Sequence, residues 1–283
     1  MIPSIKLIAD SGSTKTEWCI LKNNKPALFT TQGMSPYFVN SEKIEEIIQS
    51  EVLPLLKKNI IDEIYFYGTG CKNRENLKMF KKVFTKLFPK AFVVIDNDLS
   101  GAAKALCGNQ KGIACILGTG SNSCYYNGKR IVKNSPGLGF ILGDEGSGAY
   151  LGKKVIQHYL YNIFDEDLRA RFDAKFVTTD SEILESVYKR PLPNRYLASF
   201  AIFLAENRGH YMIENIIEDG INDFFYTHVI SYKESPKLPI HFTGGIAFGF
   251  KDIVTQLCQN YELQLGNILR SPMEGLIRYH SSV

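Results

Sequence analysis

The chain has 283 residues, of which 45% are hydrophobic and 22% are charged, a composition typical of a globular protein. This length is large for a single hydrophobic core, so we expect two domains. The formal net charge is only +4, and the basic residues are scattered along the chain, which argues against a nucleic-acid partner.

Neither a membrane span nor a secretory signal is expected. The strongly apolar runs, such as residues 113–117, are far too short to cross a bilayer. No basic segment followed by an apolar segment opens the chain. The six cysteines form no CxxC pair and mostly lie inside apolar runs, which favours reduced, structural thiols in a cytoplasmic protein.

The first 107 residues predict the order β-β-β-α-β-α-β-α. Strands are expected at residues 5–9, 17–21, 27–31, 63–67 and 92–95. A first helix is expected to begin with Ser41 as its N-cap and to be interrupted at Pro54. A second should run from the cap Asn73 to Pro89, and a third should cover residues 100–106. This interleaving indicates an α/β sheet with covered faces.

The second half begins in the same way. Strands are expected at residues 112–117, 123–126 and 129–133, with the hairpin signal Asn-Gly between the last two. A long helix should follow from residue 146 to about 164, and mostly helical chain should extend to residue 232. A strand at 239–242 and helices at 252–260 and 272–279 complete the prediction. The parallel layout predicts two structurally duplicated halves.

Two turns rich in small residues are candidate phosphate sites. The first is LIADSGSTKT at residues 7–16, and the second is GIACILGTGSN at residues 112–122. Neither fits a Walker A loop, and the third glycine of the Rossmann fingerprint is absent. We therefore expect backbone amides and hydroxyls from two hairpin turns to hold one polyphosphate.

Five motifs, in chain order, carry a resemblance to a known superfamily. They are DSGSTKT, DNDLSGAAKAL, LGTGSN, GLGFILGDEGSG and TGG, which span residues 10–245. The set resembles the sugar kinase, heat-shock protein 70 and actin fold of ATPases. Within that fold it is most similar to N-acetylglucosamine kinases and the BadF/BadG/BcrA/BcrD-type ATPase family.

The resemblance implies an α/β fold of two ribonuclease H-like, actin-like ATPase domains with a central cleft and added helices in the second. The domains are expected at residues 1–111 and 112–271, and a helix over about 272–283, which includes SPMEG, is a candidate to pack back on the first.

The resemblance also implies that the protein binds ATP and Mg²⁺. Asp10 is expected to hold Mg²⁺ through water, since this ion prefers oxygen ligands and keeps several waters. The expected phosphate contacts are Gly12, Ser13, Thr14, Thr119 and Gly120. The expected adenosine contacts are Thr243, Gly244 and Gly245, where missing side chains let the nucleotide lie against backbone.

Asp98 is the expected general base, which would take the proton from the sugar hydroxyl. The expected sugar contacts are Ser35, Ser121, Asn122, Gly137, Leu138, Gly139 and Asp144. Glu145 is expected to support the metal or the loop geometry. Taken alone, Asp96 and Asp98 could equally be a helix cap or an Asx-turn.

The resemblance therefore predicts an ATP-dependent kinase that phosphorylates the 6-hydroxyl of an amino sugar, and a homodimer is a candidate assembly. N-acetylglucosamine is the first candidate, and glucosamine or N-acetylmuramic acid is next. Two alternatives are an ATPase that activates acyl-CoA dehydratases through a [4Fe-4S] cluster between two subunits, and a non-enzymatic sugar or nucleotide sensor.

The sequence departs from the family pattern at two places. Ser35 or Pro36 falls where the kinases carry a sugar-binding asparagine, which affects the expected 2-acetamido specificity. ENRGH at residues 206–210 stands where Gly-Asp is common on the adenine side.

Overall fold

A computed structural model of the protein describes residues 4–57 and 59–281 and divides the chain into two compact units. The first unit contains the described residues up to Gln110, the segment Gly128–Ile131 and the described residues from Ser271 onward. The second contains Lys111–Asn127 and Val132–Arg270. No helix within the described residues is long and apolar enough to span a membrane.

The first unit is built on a five-stranded sheet in the order β3-β2-β1-β4-β5. Its elements in chain order are β1 (Ile5–Ser11), β2 (Lys15–Lys22), β3 (Lys25–Gln32), α1 (Ser41–Ile47), a π-helical turn (Ile48–Val52), α2 (Leu53–Leu56), β4 (Glu63–Gly68), α3 (Arg74–Leu87), β5 (Phe92–Asn97) and α4 (Asp98–Cys107). β1 pairs antiparallel with β2 and parallel with β4, which in turn pairs parallel with β5.

Both faces of this sheet are covered, because successive residues of β1 point to opposite sides and both sides are apolar. Leu7 packs in a cluster with Trp18, Phe80 and other residues of α1 and α3. Ile8 packs in a second cluster that includes Leu276 of the last helix. The result is a three-layer arrangement in which helices bury both sheet faces.

The second unit has its own five-stranded sheet, in the order β10-β9-β6-β7-β8, and a single large apolar core. Its elements are β6 (Lys111–Leu117), β7 (Ser121–Asn127), β8 (Ile131–Ser135), α5 (Gly139–Leu142), α6 (Gly148–Leu160), α7 (Glu166–Lys175), α8 (Asp180–Tyr188), α9 (Pro193–Ser199), α10 (Ala201–Glu206), α11 (Tyr211–Phe224), a π-helical turn (Phe225–Val229), a 3-10 turn (Ser235–Lys237), β9 (Ile240–Thr243), α12 (Gly245–Gly249), α13 (Lys251–Asn260) and β10 (Leu265–Leu269). The last helix of the chain, α14 (Met273–Ser281), belongs to the first unit.

The two sheets repeat one topology. In each, the first strand of the unit pairs antiparallel with the second, and it pairs parallel with the fourth. The third strand forms one edge and the fifth forms the other. The predicted duplication is therefore confirmed in the order of the strands, although the two halves share few sequence letters.

Most predicted elements are present, with local differences. The first helix is capped by Asn40, whose side chain accepts from the Lys43 amide, so the prediction of Ser41 as the cap is wrong by one residue. The interruption near Pro54 is confirmed, because the helix passes through a π-helical turn and resumes at Leu53. β10 and the short helices α5 and α12 were not predicted.

Candidate functional site

The first candidate phosphate loop joins β1 to β2 through three residues, 12–14. The Gly12 amide donates to the Lys15 carbonyl at 3.0 Å, and the Gly33 amide donates to the Thr14 carbonyl at 3.1 Å. A Cβ at Gly33 would stand 2.5 Å from the Gly12 carbonyl oxygen. Only glycine therefore fits at position 33, where the backbone packs against the loop and its amide bonds the Thr14 carbonyl.

Polar residues lie at the carboxyl ends of three adjacent parallel strands, as expected for a ligand site in an α/β sheet. Asp10 is near the end of β1, Thr69 follows β4, and Asp98 follows β5. The Thr69 amide donates to the Ser11 carbonyl at 2.9 Å, which ties the end of β4 to the end of β1.

Both carboxylate oxygens of Asp98 are held by neighbours. The Thr69 hydroxyl donates to Oδ2 at 2.7 Å, and the Leu99 amide donates to Oδ1 at 2.9 Å. Burial raises the pKa of Asp98 above its ordinary value, against the lowering effect of these hydrogen bonds. The carboxylate is thus oriented and more basic than an exposed aspartate, as a general base requires.

Asp10 lies in a surplus of negative charge. Burial, followed by the charges of Asp98 and Glu17, raises the pKa of Asp10 from 3.8 to about 8. Such a carboxylate fits a cation, and its oxygens are the hard ligands that Mg²⁺ prefers. Among the described residues no group of three or more His, Cys, Asp or Glu side chains is placed to hold a metal ion.

Asp96, two residues before Asp98, anchors the end of β5 to α4. Its Oδ2 accepts from the Ser100 hydroxyl at 2.6 Å and from the Lys104 ammonium at 3.3 Å. The Asn97 side chain caps α4 by accepting from the Ser100 amide. Asn97, which the sequence analysis did not consider, is therefore the N-cap of α4, Asp96 holds the residues around this cap, and Asp98 keeps its carboxylate beside Thr69.

Ser35, predicted as a sugar contact, is 1% exposed in the first unit. Within the described residues its hydroxyl has no hydrogen-bond partner. Its carbonyl accepts from the amides of Phe38 and Val39, so the residue opens a tight turn. A buried hydroxyl without a partner is costly, which makes Ser35 a candidate to bind an added polar group.

The second candidate phosphate loop joins β6 to β7, again through three residues, 118–120. The Gly118 amide donates to the Gly120 carbonyl at 3.0 Å, whereas in the first loop the Gly12 amide donates to the Lys15 carbonyl, one residue further along. The amides of Gly148 and Ala149, in the first turn of α6, donate to the carbonyls of Gly118 and Thr119. The loop is therefore fixed on the start of a helix.

Asp144 is brought against this loop in a strained backbone conformation. Its φ is +57°, a region that non-glycine residues rarely occupy. The Ser121 amide lies 3.4 Å from its Oδ1, and a Cβ at Gly120 would stand 2.9 Å from its Oδ2. Burial, followed by the Glu145 charge, raises the pKa of Asp144, and His228 and Lys153 lower it.

The other predicted sugar contacts of the second unit lie nearby. Asn122 Oδ1 accepts from the Asn134 side chain at 2.9 Å, and a Cβ at Gly137 would stand 3.9 Å from Asn122 Nδ2. The Ser121 hydroxyl is buried and, in the described part of the chain, has no partner. Leu138 and Gly139 are exposed at the start of α5.

Thr243, Gly244 and Gly245 connect β9 to α12. Gly244 has φ +118°, and a Cβ there would stand 2.2 Å from the Leu117 carbonyl oxygen, so only glycine fits. The Thr243 hydroxyl is buried, again with no partner among the described residues. The structure thus places this turn beside the end of β6, next to the loop at residues 118–120.

The sequence did not predict three contacts among the candidate site residues of the two units. Gly33 supports the first loop, Thr69 orients Asp98, and His228 bonds Glu145. Only Thr69 left a signal, because GTG follows a predicted strand at the same sheet edge as Asp98. The other contacts join residues that are distant in the sequence.

All six cysteines are buried thiols. They are Cys19, Cys71, Cys107, Cys115, Cys124 and Cys258. Burial raises the pKa of the Cys71 thiol to about 12, which disfavours the thiolate that binds metal clusters. This environment does not favour the dehydratase-activator alternative.

Duplicated sheets of this topology, each with a small-residue hairpin loop, define the sugar kinase, heat-shock protein 70 and actin class of ATPases. Within that class, the chain belongs to the BadF/BadG/BcrA/BcrD ATPase family, whose sequence profile matches residues 9–261. The predicted fold class and family are both confirmed, and the chain is an enzyme with the sugar-kinase fold.

Three known proteins show the range of similarity. An N-acetylmuramic acid/N-acetylglucosamine kinase of Clostridium acetobutylicum is 24% identical over 236 residues, which cover 76% of this chain and 75% of that protein. A Porphyromonas gingivalis protein provisionally assigned as an N-acetylglucosamine kinase is 41% identical, with a TM-score of 0.94 over 98% of both chains. A Chromobacterium violaceum protein with the same provisional assignment is 18% identical, with a TM-score of 0.76 over 98% of both chains, and shows the fold alone.

Proposed function

We propose that this protein transfers the γ-phosphoryl group of ATP to the 6-hydroxyl of an amino sugar, with N-acetylglucosamine as the first substrate to test. The relative from Porphyromonas gingivalis supports this choice, because it matches nearly the whole chain at 41% identity. The Clostridium acetobutylicum relative adds N-acetylmuramic acid as the second sugar to test.

The observation that carries the proposal is the environment of Asp98. A Thr69 hydroxyl and a backbone amide fix both of its oxygens, and burial raises its pKa. In the proposed reaction, Asp98 accepts the proton of the sugar 6-hydroxyl as that oxygen bonds to the γ-phosphorus and the bond from phosphorus to ADP breaks. Membership of an ATPase family supports ATP as the phosphoryl donor, and the Asp98 carboxylate is the proposed general base.

The residues of the two hairpin loops orient the nucleotide phosphates in this proposal. Backbone amides and hydroxyls at residues 12–14 and 119–120 would donate to phosphate oxygens, since such turns suit anions. Asp10 would hold Mg²⁺, which when bound neutralises charge on the β- and γ-phosphates. The turn at residues 243–245 would receive the adenosine, because Gly244 and Gly245 leave backbone exposed to it.

The acceptor sugar is assigned to polar groups at the second loop and to Ser35. Asp144 would accept from a sugar hydroxyl, and Asn122 would donate through its amide nitrogen, because its Oδ1 already accepts from Asn134. The unpartnered hydroxyls of Ser121 and Ser35 would bond to the sugar as well. Leu138 at the pocket wall would contact an apolar face of the ring.

The test is a panel of amino sugars with ATP and Mg²⁺, measured by ADP release. We expect N-acetylglucosamine or N-acetylmuramic acid to raise ADP release well above the rate with water alone, and chelation of the metal to abolish it. Failure of every sugar in the panel to do so would show that the kinase proposal is wrong.

The position of the phosphate needs a separate measurement. Phosphorus and proton magnetic resonance of the product should show the phosphate on carbon 6, and the 6-deoxy analogue should inhibit without being phosphorylated. Phosphorylation of another hydroxyl would keep the kinase assignment but contradict the 6-hydroxyl. Sedimentation of the purified protein would test the proposed homodimer.

A further inference from the structure

Glu145, the chain neighbour of Asp144, is hydrogen-bonded to a histidine that is far away in the sequence. Glu145, the neighbour of Asp144, has its Oε2 3.0 Å from Nε2 of His228. The other ring nitrogen of His228, Nδ1, lies 2.7 Å from the Ser135 hydroxyl. His228 is 5% exposed, so both bonds are shielded from water.

The same chain of bonds reaches Asn122, on the other side of the loop. The Ser135 amide donates to the Tyr232 hydroxyl at 2.8 Å, and that hydroxyl also bonds the Ser123 hydroxyl at 2.9 Å. Asn134, next to Ser135, donates to Asn122 Oδ1. Hydrogen bonds through His228, Ser135 and Asn134 therefore link Glu145 to Asn122, and Asp144 is joined to this network through the backbone as the neighbour of Glu145.

The backbone around Asp144 explains why such support is needed. Asp144 has φ +57°, and Gly146 has φ +69° with Phe224 packed against it. Strained positions of this kind persist only where their surroundings hold them. His228 lies in the π-helical turn Phe225–Val229, whose altered register gives it a different direction from a regular helical residue, and such turns are frequent at functional sites.

We propose that His228 is a positioning residue for the sugar, which holds the Glu145 carboxylate and so keeps the Asp144 carboxylate in its binding geometry. The inference rests on the proposed function for the identity of the ligand. His228 makes no contact with substrate in this role. Removing it would leave Glu145 partly buried and unpaired beside Asp144, and the repulsion between the two carboxylates would displace the loop.

The test compares His228→Leu, which removes both hydrogen bonds, with His228→Gln, whose amide can still donate to Glu145. We expect His228→Leu to raise the KM for the amino sugar about tenfold or more, because small displacements of binding groups have large effects. The KM for ATP should stay within about twofold, and His228→Gln should recover most of the loss in sugar KM.

The matched control is His210→Gln. His210 begins the same helical segment, and both of its ring nitrogens are also bonded, one to the Asp165 carboxylate at 2.9 Å and one to the Met212 amide. It does not contact the loop, so we expect its sugar KM to match that of the wild type. Equal changes in the sugar and ATP KM of His228→Leu, or no recovery in His228→Gln, would overturn the inference.

A readout that needs no substrate separates this inference from the proposed function. Amide hydrogen exchange at residues 143–147 should be faster in His228→Leu than in the wild type, and unchanged in His210→Gln. If His228→Leu does not fold, His228→Ala, which also removes both hydrogen bonds, takes its place in the same comparison. Unchanged exchange in the loop would overturn the positioning role, whereas a wild type inactive on every sugar would overturn only the proposed function.

Discussion

Both oxygens of the Asp98 carboxylate are fixed by neighbours in the first unit, which allows a sharp test of its role. We expect Asp98→Asn to lower kcat about 100-fold or more, because the amide cannot accept the hydroxyl proton. The Kd for ATP should change by less than about twofold, because the side chain acts on the acceptor. Steady-state kinetics and calorimetric titration measure the two quantities.

Asp62→Asn is the control for this experiment. Asp62 also accepts from a backbone amide, that of Ile5 at 2.8 Å, but it lies at the opposite end of β1 from Asp10. Its kcat should equal that of the wild type. Wild-type turnover in Asp98→Asn would remove Asp98 from the mechanism.

Gly120 tests the contact between the second loop and Asp144. A Cβ at this position would stand 2.9 Å from Asp144 Oδ2, so Gly120→Ala must displace that carboxylate. We expect the sugar KM to rise about tenfold, and the double variant with Asp144→Ala to be no worse than Asp144→Ala alone, since contacting residues are not additive. Additive effects in the double-mutant cycle would contradict this contact. Gly249→Ala, where an added Cβ meets nothing within 4 Å, is the control.

At the scale of elements, α14 shows how a distant segment completes the first unit. Leu276 is buried in the cluster around Ile8, and a Cβ at Gly275 would stand 2.3 Å from the Ala105 carbonyl oxygen, so α14 packs closely on α4. His280, near the end of α14, bonds the Tyr67 hydroxyl at 3.0 Å. Lys104 links Tyr67 onward to Asp96, so this helix supports the end of β5.

The burial of His280 makes the stability of the protein depend on pH. Burial lowers the pKa of His280 from 6.5 to about 4, and the charges of Lys104 and Lys6 act in the same direction. The unfolded chain therefore binds a proton that the folded chain excludes, so the contribution of His280 is complete above pH 6.5 and is lost as the pH falls toward 4. The full loss is about 3 kcal/mol, of which about 2 kcal/mol is expected by pH 5.

Urea denaturation at pH 7 and pH 5 measures this effect. The variant His280→Gln does not titrate, so the decrease in its free energy of unfolding between the two pH values should be smaller than that of the wild type by about 2 kcal/mol. His158→Gln, at a partly exposed histidine of the second unit, should keep the wild-type decrease. The same decrease in His280→Gln and in the wild type would contradict the prediction.

The elements also show what the sequence can and cannot predict. The strands at residues 5–9 and 112–117 were predictable because continuous apolar runs end at turn residues, and the hairpins followed from local turn chemistry. β10 was missed because its residues are only partly buried at a sheet edge, so no apolar run or alternation marks it. The Ser41 error is a boundary error, since Asn40 and Ser41 are both good caps.

For the candidate site residues, too, contacts between residues close in the sequence were predictable, and contacts between distant residues were not. Residues inside one motif, such as 118–122 or 143–147, come together because they are close in the chain. Glu145 and His228 are 83 residues apart, and Thr69 and Asp98 are 29 apart, so their bonds depend on strand order and helix packing. No local pattern encodes such contacts, and the roles proposed for Asp98 and Asp144 were predictable only through the family resemblance.

At the scale of the whole molecule, the chain forms two units, each with its own hydrophobic core. Each residue proposed to contact a ligand lies in one of these units. Binding protects backbone amides from exchange in proportion to the stabilisation it gives, about 2.7 kcal/mol when a ligand is present at 100 times its Kd. Saturation with an amino sugar alone should therefore slow hydrogen exchange at residues 121–122 and 143–147 of the second unit.

A non-hydrolysable ATP analogue with Mg²⁺ should instead slow hydrogen exchange at residues 12–14 of the first unit and at 118–120 and 243–245 of the second, because the two hairpin loops and the adenosine turn are assigned to the nucleotide. α7 (Glu166–Lys175), which carries no assigned contact, serves as the internal reference in both experiments. Protection of residues 12–14 by the sugar alone, together with unchanged exchange at 143–147, would reverse the assignment of the two loops. Protection in the expected pattern would separate the donor and acceptor contacts without relying on turnover.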